Sequence, residues 1–463
     1  MTTYTAINIG PIVSTLQMAR KPRELWAASY LFSFLMECIY EEIKKTEETK
    51  IISPSEPSKS QSEVGLYPDR IYFKGEIDAD EKIKSACYVF FEKLLAKRGA
   101  VDLNYFNIMT TSCEATHESD AIKKLNHQLD VMELCNYAAD GQASQTIYNI
   151  ISRRANSPLF QLATGEDKFF VPDLETIARR EFDAFRVKQM KSHHKYFCIV
   201  VADGDNVGKT VSHPELSGVQ LKKISDGLMY FGDKATELIK DFGGLPIYAG
   251  GDDLLFIAPV KGVDGTNIFE FLKKIEDVAF KNVHDAIKDC ELNDNGKPIE
   301  ASLSFGISIT YYKYPLYEAL ETARNLLFGV AKNIKDKKAW AWSLRNHSGD
   351  SFDVAFSRKD ETLQKLFLAL IEAITDDDLV SAVAHKIYQK DDLSNMVLDS
   401  ESEARLDALF NNILEFKDNS YFKTVKELMP ELFEAVDSDI YTTKLYSLLR
   451  TAKFIKGEDL HDE

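Results

Sequence analysis

The stretch Leu245 to Val260, LPIYAGGDDLLFIAPV, decides the fold class. Two apolar runs, Leu245–Tyr248 and Leu254–Val260, flank the turn Ala249-Gly250-Gly251-Asp252-Asp253, and that pattern predicts a β-hairpin. Upstream, Tyr196–Ala202 (YFCIVVA) is an unbroken apolar run that reads as a buried strand, and it ends on Asp203-Gly204-Asp205. Between them, Ile224, Leu228, Phe231, Ala235, Leu238 and Ile239 share one face of a helix over Leu221–Phe242, which Gly243-Gly244 closes. A helix over Ile268–Ile287, a strand over Ala301–Tyr311, a helix over Leu316–Ile334 and a strand over Ala339–Leu344 follow. The N-terminal third repeats the theme. It reads as a strand (Thr5–Val13), a helix (Met18–Ile43), a surface loop (Lys44–Gly65), a strand (Arg70–Lys74), a helix (Glu81–Lys97) and a strand (Leu103–Met109). From Thr116 to Phe185 the pattern is helical and broken by Pro158 and Pro172; after Ser351 it reads as helices only. The expected units are residues 1–112, a connector over 113–195, a second α+β unit over 196–350 and a helical domain over 351–463.

The 463 residues carry 56 Lys+Arg against 73 Asp+Glu, a net charge of −17, which argues against a protein that coats nucleic acid by bulk charge. Six scattered cysteines with no C-x-x-C spacing argue against zinc or a disulfide framework and for a reducing cytoplasm. The most apolar stretch, Leu25–Tyr40, carries Ser and Glu and is too short for a membrane span. The N-terminal residues read as a strand rather than a leader peptide.

In a β-α-β-β arrangement the strand ending at Asp203 lies beside the hairpin, so Asp203, Asp205, Asp252 and Asp253 meet at one sheet end. Like charges gathered there repel unless compensated, and all-oxygen ligands select Mg²⁺ or Mn²⁺. Gly250 and Gly251 let a triphosphate or base approach the backbone closely. Two metals about 4 Å apart would serve nucleotidyl transfer. Gly204–Thr210 (GDNVGKT) is no P-loop, because Asp203 stands where the motif needs Gly. The backbone of Asn206, Val207 and Gly208 can still meet phosphates, and Lys332 is the first choice to reach the triphosphate. His284-Asp285, His461-Asp462, His193-His194 and His347 lack ligand spacing. Arg20, Lys21 and Arg23 are open to RNA, nucleotide or solvent.

These residues resemble the large polymerase/cyclase-like subunit of type III CRISPR effector complexes, most closely its Cmr branch. Ile7–Ser33 (INIGPIVSTLQMARKPRELWAASYLFS) looks like that family's first palm. Ala202–Lys209 and Tyr248–Ala258 look like the second, catalytic palm, and Ser302–Ser308, Ala331-Lys332 and His347-Ser348-Gly349 like its later segments. The resemblance implies an α+β fold with two ferredoxin-like palms, a helical insert and a C-terminal helical bundle. It implies synthesis of a nucleotide messenger from ATP, usually cyclic oligoadenylate, switched on by target RNA in a guide-loaded complex with partner subunits. Asp203, Asp252 and Asp253 would hold two metals, with Asp205 a further candidate. Gly204, Asn206, Val207, Gly208, Gly250, Gly251 and Lys332 would meet the nucleotide. Two departures from the family's pattern are expected to matter: the first palm starts within ten residues of the N-terminus, so no HD nuclease activity is expected, and the scattered cysteines put a helical insert in place of a zinc module; S-adenosylmethionine is an alternative acceptor. The competing readings are a stand-alone synthase that uses GTP, as diguanylate cyclases do, and a non-catalytic scaffold subunit.

Overall fold

A computed structural model of the chain describes residues 1–56, 64–77, 79–95, 105–134, 141–152, 158–164, 171–186, 189–375, 377–389, 391–399, 402–412 and 419–457. Sequence expectations at Leu103, Asp376, Ile413, Leu414 and His461-Asp462 lie outside the described residues. The first sheet contains β1 (Thr2–Gly10), β2 (Lys50–Ser53), β3 (Arg70–Lys74) and β4 (Asn107–Ala115), in the order β2-β3-β1-β4. The second contains β5 (Tyr196–Asp205), β6 (Leu245–Gly250) and β7 (Asp253–Pro259). A two-stranded ribbon, β8 (Asn293–Asp294) and β9 (Lys297–Pro298), precedes its remaining strands β10 (Ser302–Tyr311), β11 (Ala339–Arg345) and β12 (Ser351–Ser357). Its order is β12-β11-β10-β5-β7-β6. Strands β10-β5-β7-β6 repeat the ferredoxin-like order of the first sheet, and β11 adds on parallel to β10. The fold is α+β with two ferredoxin-like sheets and a helical C-terminal part.

The helix Pro22–Lys44 explains how the sheets are joined. Leu25, Leu31 and Leu35 are buried on one side and Trp26, Ala27, Tyr30 and Phe34 on the others, so between Glu24 and Met36 the helix is buried all round rather than on one stripe. Such a helix needs protein on both faces. It shares one hydrophobic core with Ile7 and Ile71 of the first sheet and with Phe197, Ile199 and Ile257 of the second. This was the segment weighed as a membrane span, and no helix among the described residues is long and apolar enough to cross a membrane.

The C-terminal helices close the outer face of the second sheet. Trp340 and Trp342 are fully buried; Trp342 stacks on Phe367 and donates its indole N–H to Thr451 Oγ1 at 3.1 Å. Arg358 is fully buried among them: it pairs with Glu276, donates to the carbonyl of Leu303 at 2.7 Å, and lies over the Trp340 ring.

Several sequence expectations need correcting. The first strand stops at Gly10, and a short helix (Ile12–Gln17) intervenes before the long one, because Pro11 cannot donate to the ladder. The supposed loop over Lys44–Gly65 contains the edge strand β2, whose short length and polar flanks hide a period-2 pattern. The strand placed at Leu103–Met109 runs instead from Asn107 to Ala115. Residues after Ser351 are not helices only: β12 alternates buried Phe352, Val354 and Phe356 with outward residues and completes the second sheet. The helix Glu118–Glu133, expected in a connector, lies on the first sheet, with Leu125 and Leu129 packed under Tyr4 and Met109.

The helices expected at 268–287 and 316–334 each contain a π-helical stretch, Ile275–Ala279 and Leu326–Val330. The second lies against Gly306 of β10, where a Cβ would stand 2.1 Å from the carbonyl oxygen of Ala323 and 2.5 Å from the amide nitrogen of Leu327. Backbone cannot yield as a flexible side chain does. Gly306→Ala should therefore lower stability by about 2–4 kcal/mol in urea unfolding, and a change below about 0.5 kcal/mol would refute this packing.

Candidate active site

The register of the second sheet builds the site. Ala202 of β5 pairs with Leu254 of β7, so the residues next along each strand, Asp203 and Asp253, emerge side by side at the sheet end. The carboxyl groups of Asp203 and Asp253 share a hydrogen bond. Gly251 takes φ +65°, the left-handed conformation that turns the chain, and Asp252 follows it into the cleft. The Asp252 carboxylate lies directly over Gly204: a Cβ there would stand 2.6 Å from Asp252 Oδ2. Three carboxylates from two strands thus converge. Desolvation raises the Asp252 carboxyl to about 7, with the Asp203 charge adding to it and its own backbone N–H and Lys332 opposing. Asp253 stands at the open lip, yet loss of hydration in the cleft pushes it well up, reinforced by Asp252, Asp203 and Asp69.

Asp205 and Lys332 depart from their expected parts. Asp205 is fully buried; its Oδ2 accepts from Ser302 Oγ and Ser304 Oγ, both at 2.8 Å, and from the Lys338 N–H at 3.0 Å. The Lys332 ammonium donates to Asp205 Oδ1 at 2.7 Å and to the carbonyls of Asp203 and Gly204 at 2.9 and 3.0 Å, while also touching the Asp203 carboxylate. An ammonium has three N–H groups. Lys332 has spent all three on the strand end and has none for a triphosphate; Asp205, likewise saturated, is an anchor rather than a free ligand. Asp336, Lys337 and Lys338 all take positive φ (69°, 53° and 45°), a strained run that delivers the Lys338 N–H to Asp205.

The remaining expected residues fall nearby. Asn206, at φ 65°, donates its side-chain amide to the Glu300 carbonyl at 2.9 Å, Val207 is buried beside Gly204, and Gly208 faces open space. Gly250 has no room for a side chain beside the Tyr248 hydroxyl. Arg23 donates to the Ser152 carbonyl at 3.1 Å, and His284 is held by the Ala301 carbonyl at 2.8 Å.

Two residues escaped the sequence reading. Asp69 immediately precedes β3 as Asp252 precedes β7, and the repeated strand order was the signal that could have found it. Arg324, on the helix Leu316–Asn325, lies over the Phe328 ring at 5.5 Å, and among the described residues no hydrogen-bond acceptor takes its guanidinium. Both line a cavity of about 230 Å³ between the two sheets, with Ile9 and Phe32 on one wall and Val201 and Asp253 on the other. A larger polar cleft of about 720 Å³ opens beyond Asn206. Several of its cations are paired, Lys209 with Asp294, Lys281 with Asp285 at 2.7 Å and Lys359 with Asp336 at 2.9 Å.

Elsewhere, Glu181, His193 and His194 bring three ligand atoms within 4.8 Å of one another. The Lys191 N–H points at His194 Nδ1 (2.9 Å), which leaves the ring proton on Nε2, facing Glu181 Oε2 at 3.0 Å. The proton occupies the lone pair a metal would need, so the group reads as a hydrogen-bonded knot.

Known proteins share this architecture. Residues 196–341 match the family model described as Cas10/Cmr2, second palm domain, and residues 4–95 match that of CRISPR-associated protein Cmr2, N-terminal. The CRISPR system Cmr subunit Cmr2 of Pyrococcus furiosus is 34% identical over 190 residues, covering 36% of this chain and 20% of the relative, so the match spans about a fifth of that protein. Among solved structures, the type III-B Cmr-beta complex in its apo state aligns with TM-score 0.61 and 11% identity, over 97% of this chain and 82% of the other. The same complex bound to cognate target RNA gives 0.59 and 12%, over 98% and 83%. A Csm1-Csm4 cassette in complex with cA4 gives 0.55 and 11%, over 98% and 69%. At these identities the likeness is one of fold.

The site's electrostatics predict two outcomes. Gly204→Ala should displace Asp252 and weaken Mg²⁺ binding by about tenfold or more in calorimetric titration, and unchanged affinity would refute the Gly204–Asp252 contact. Because Asp252 and Asp253 hold protons more tightly folded than unfolded, the folded state binds more protons between about pH 4 and 7, and its stability falls as pH rises through that window. The thermal midpoint of the metal-free chain should therefore drop across it, Mg²⁺ should restore it at the upper end, and Asp252→Asn/Asp253→Asn should flatten the profile. A parallel profile in the double variant would count against the assignment.

Proposed function

We propose, for a chain that belongs to the Cas10/Cmr2 family in its Cmr branch, an RNA-activated nucleotidyl transfer that makes a nucleotide second messenger from ATP within a type III CRISPR effector complex. The observation that carries this reading is the convergence of Asp203, Asp252 and Asp253 from two adjacent strands, so crowded that Asp252 and Asp253 hold protons unusually tightly. Acceptor-only oxygens in a half-desolvated cleft fit a hard divalent cation, Mg²⁺ or Mn²⁺, and fit zinc poorly. Asp203, Asp252 and Asp253 would hold it. When bound, such a cation neutralises charge on the α-phosphate and the departing pyrophosphate and lowers the pKa of the attacking hydroxyl.

The chain's own residues do the rest. Lys332 and Asp205 fix the strand end, so Asp203 stays in register with the hairpin. Gly204 and Gly250 let Asp252 and Tyr248 pack closely on the strand ends, and Gly251 leaves the turn backbone open to a nucleotide. The apolar walls of the cavity take the base and exclude water, and the free Arg324 guanidinium supplies positive charge opposite the carboxylates. Attack of a ribose 3′-hydroxyl on the α-phosphate then forms the new phosphodiester and releases pyrophosphate. The product is a cyclic oligoadenylate or, with another acceptor such as S-adenosylmethionine, that acceptor joined to the adenylyl group of ATP. The Csm1-Csm4 structures with cA4 and with AMPPNP, similar in fold, support nucleotide chemistry at such a site. Guide RNA, target RNA and the complex's other subunits are the proposed partners.

The test is mass spectrometry of products from the assembled complex given ATP, GTP or ATP with S-adenosylmethionine, with and without target RNA. The Asp252→Ala/Asp253→Ala chain should still assemble and lose product by at least about 100-fold. Undiminished product in that variant would overturn the site. Product from GTP alone would favour a diguanylate-cyclase-like synthase, and no product from any substrate would leave a scaffold.

A further inference from the structure

We infer that Asp69, carried by the first domain, belongs to the catalytic centre of the second and accepts a hydrogen bond from a ribose hydroxyl of the nucleotide lying between the two sheets. This rests on the nucleotidyl-transfer reading and adds a residue to it that no motif near Gly250-Gly251-Asp252-Asp253 contains.

Four observations support it. First, Asp69 reaches the site by topology. In the first sheet β3 lies beside the central β1 as β7 lies beside β5, so the residue entering β3 stands where Asp252 stands in the second sheet. The peptide bridge between Gly65 and Tyr248 brings the two turn regions together, and the Ala249 N–H donates to the Gly65 carbonyl at 3.1 Å. Second, the residue is held in place: the Ile9 N–H donates to the Asp69 carbonyl at 3.1 Å, fixing its backbone at the end of β1.

Third, its carboxylate has capacity to spare. The neighbouring Arg70 turns away and donates to Asn126 at 3.0 Å and to Asp130 and Glu133 at 2.8 Å. Among the described residues the Asp69 carboxylate takes only the backbone N–H groups of Asp69 and Arg70. Two carboxylate oxygens can accept about four hydrogen bonds, so room remains for a donor from a ligand. Fourth, the donor it lacks must come from the cavity. Asp69 lines that cavity together with Asp253 and Arg324, and much of the remaining wall is apolar, with Ile9, Leu16, Phe32 and Leu255 among its residues. A base would pack on the apolar wall, which leaves the ribose hydroxyls as donors for the polar side chains of the lining, Asp69 among them. Tyr248, Asp252 and Asp253 all feel its charge, which places it within the same electrostatic centre.

The test measures equilibrium binding of ATP, 2′-deoxy-ATP and 3′-deoxy-ATP to the full chain, with Ca²⁺ replacing Mg²⁺ to hold back turnover. A charge-assisted hydrogen bond to one hydroxyl should give the unaltered chain about a tenfold preference for ATP over the analogue lacking that hydroxyl. Asp69→Ala should erase that preference while leaving affinity for the deoxy analogue within about threefold, a signature that mere loosening of the fold does not produce. Asp69→Asn keeps the size and one acceptor and should fall between, which also covers the case in which the alanine variant folds poorly. An unchanged hydroxyl preference in Asp69→Ala and Asp69→Asn would overturn the inference alone. Failure of the unaltered chain to bind any of the three nucleotides would instead sink the nucleotidyl-transfer reading on which it rests.

Discussion

One buried carboxylate organises the acidic end of the second sheet. Asp205 draws hydroxyls from β10, a backbone N–H from the strained turn before β11, and the ammonium of Lys332. A fully desolvated charge is tolerable only when its lone pairs are met by donors, and removal of one partner typically costs several kcal/mol. That requirement makes the arrangement all-or-none. The three left-handed residues at 336–338 are a conformational cost that the Asp205 contact offsets, and the π-helical turn before Lys332 sets the reach of the lysine. With Asp205 secured, Asp203 two residues earlier cannot slide along its neighbours, and the register with the hairpin is set.

The reactive carboxylates occupy the opposite electrostatic regime. Asp252 and Asp253 sit beside the Asp203 carboxylate with too few donors to offset their lost hydration, so they hold protons tightly in the absence of a cation. Within a few residues the same side-chain type serves as an anchor and as reactive machinery, and the difference is the number of donors within reach. Lys332 illustrates the point. It is a cation beside an anionic site, yet its donors are committed to carbonyls and to Asp205, whereas Arg324 across the cavity keeps its own free.

The second organising element is the helix Pro22–Lys44. Its all-round burial forces the two sheets to enclose it and closes a cavity between domains whose site residues are far apart in the chain. Asp69 and Asp253 become neighbours only because this layer exists. A cavity shared between two domains is sensitive to their mutual placement.

Much of this was legible in the residues themselves. The unbroken apolar run 196–202, the Gly-Gly turn and the helical faces between them each depend on local sequence, because strand and turn preferences act over a few residues. The meeting of Asp203 with Asp252 and Asp253 followed from the β-α-β-β order, which constrains which strands are neighbours. What local pattern could not carry was the choice among partners once those strands met. Which groups Lys332 meets and how Asp205 is satisfied depend on partners about a hundred residues or more away along the chain. The short edge strand β2 and the late strand β12 were missed for the same reason, since both are defined by the sheets they complete. Chain chemistry therefore determined the elements and the acidic cluster, and three-dimensional packing alone decided which charges are satisfied and which remain free to react.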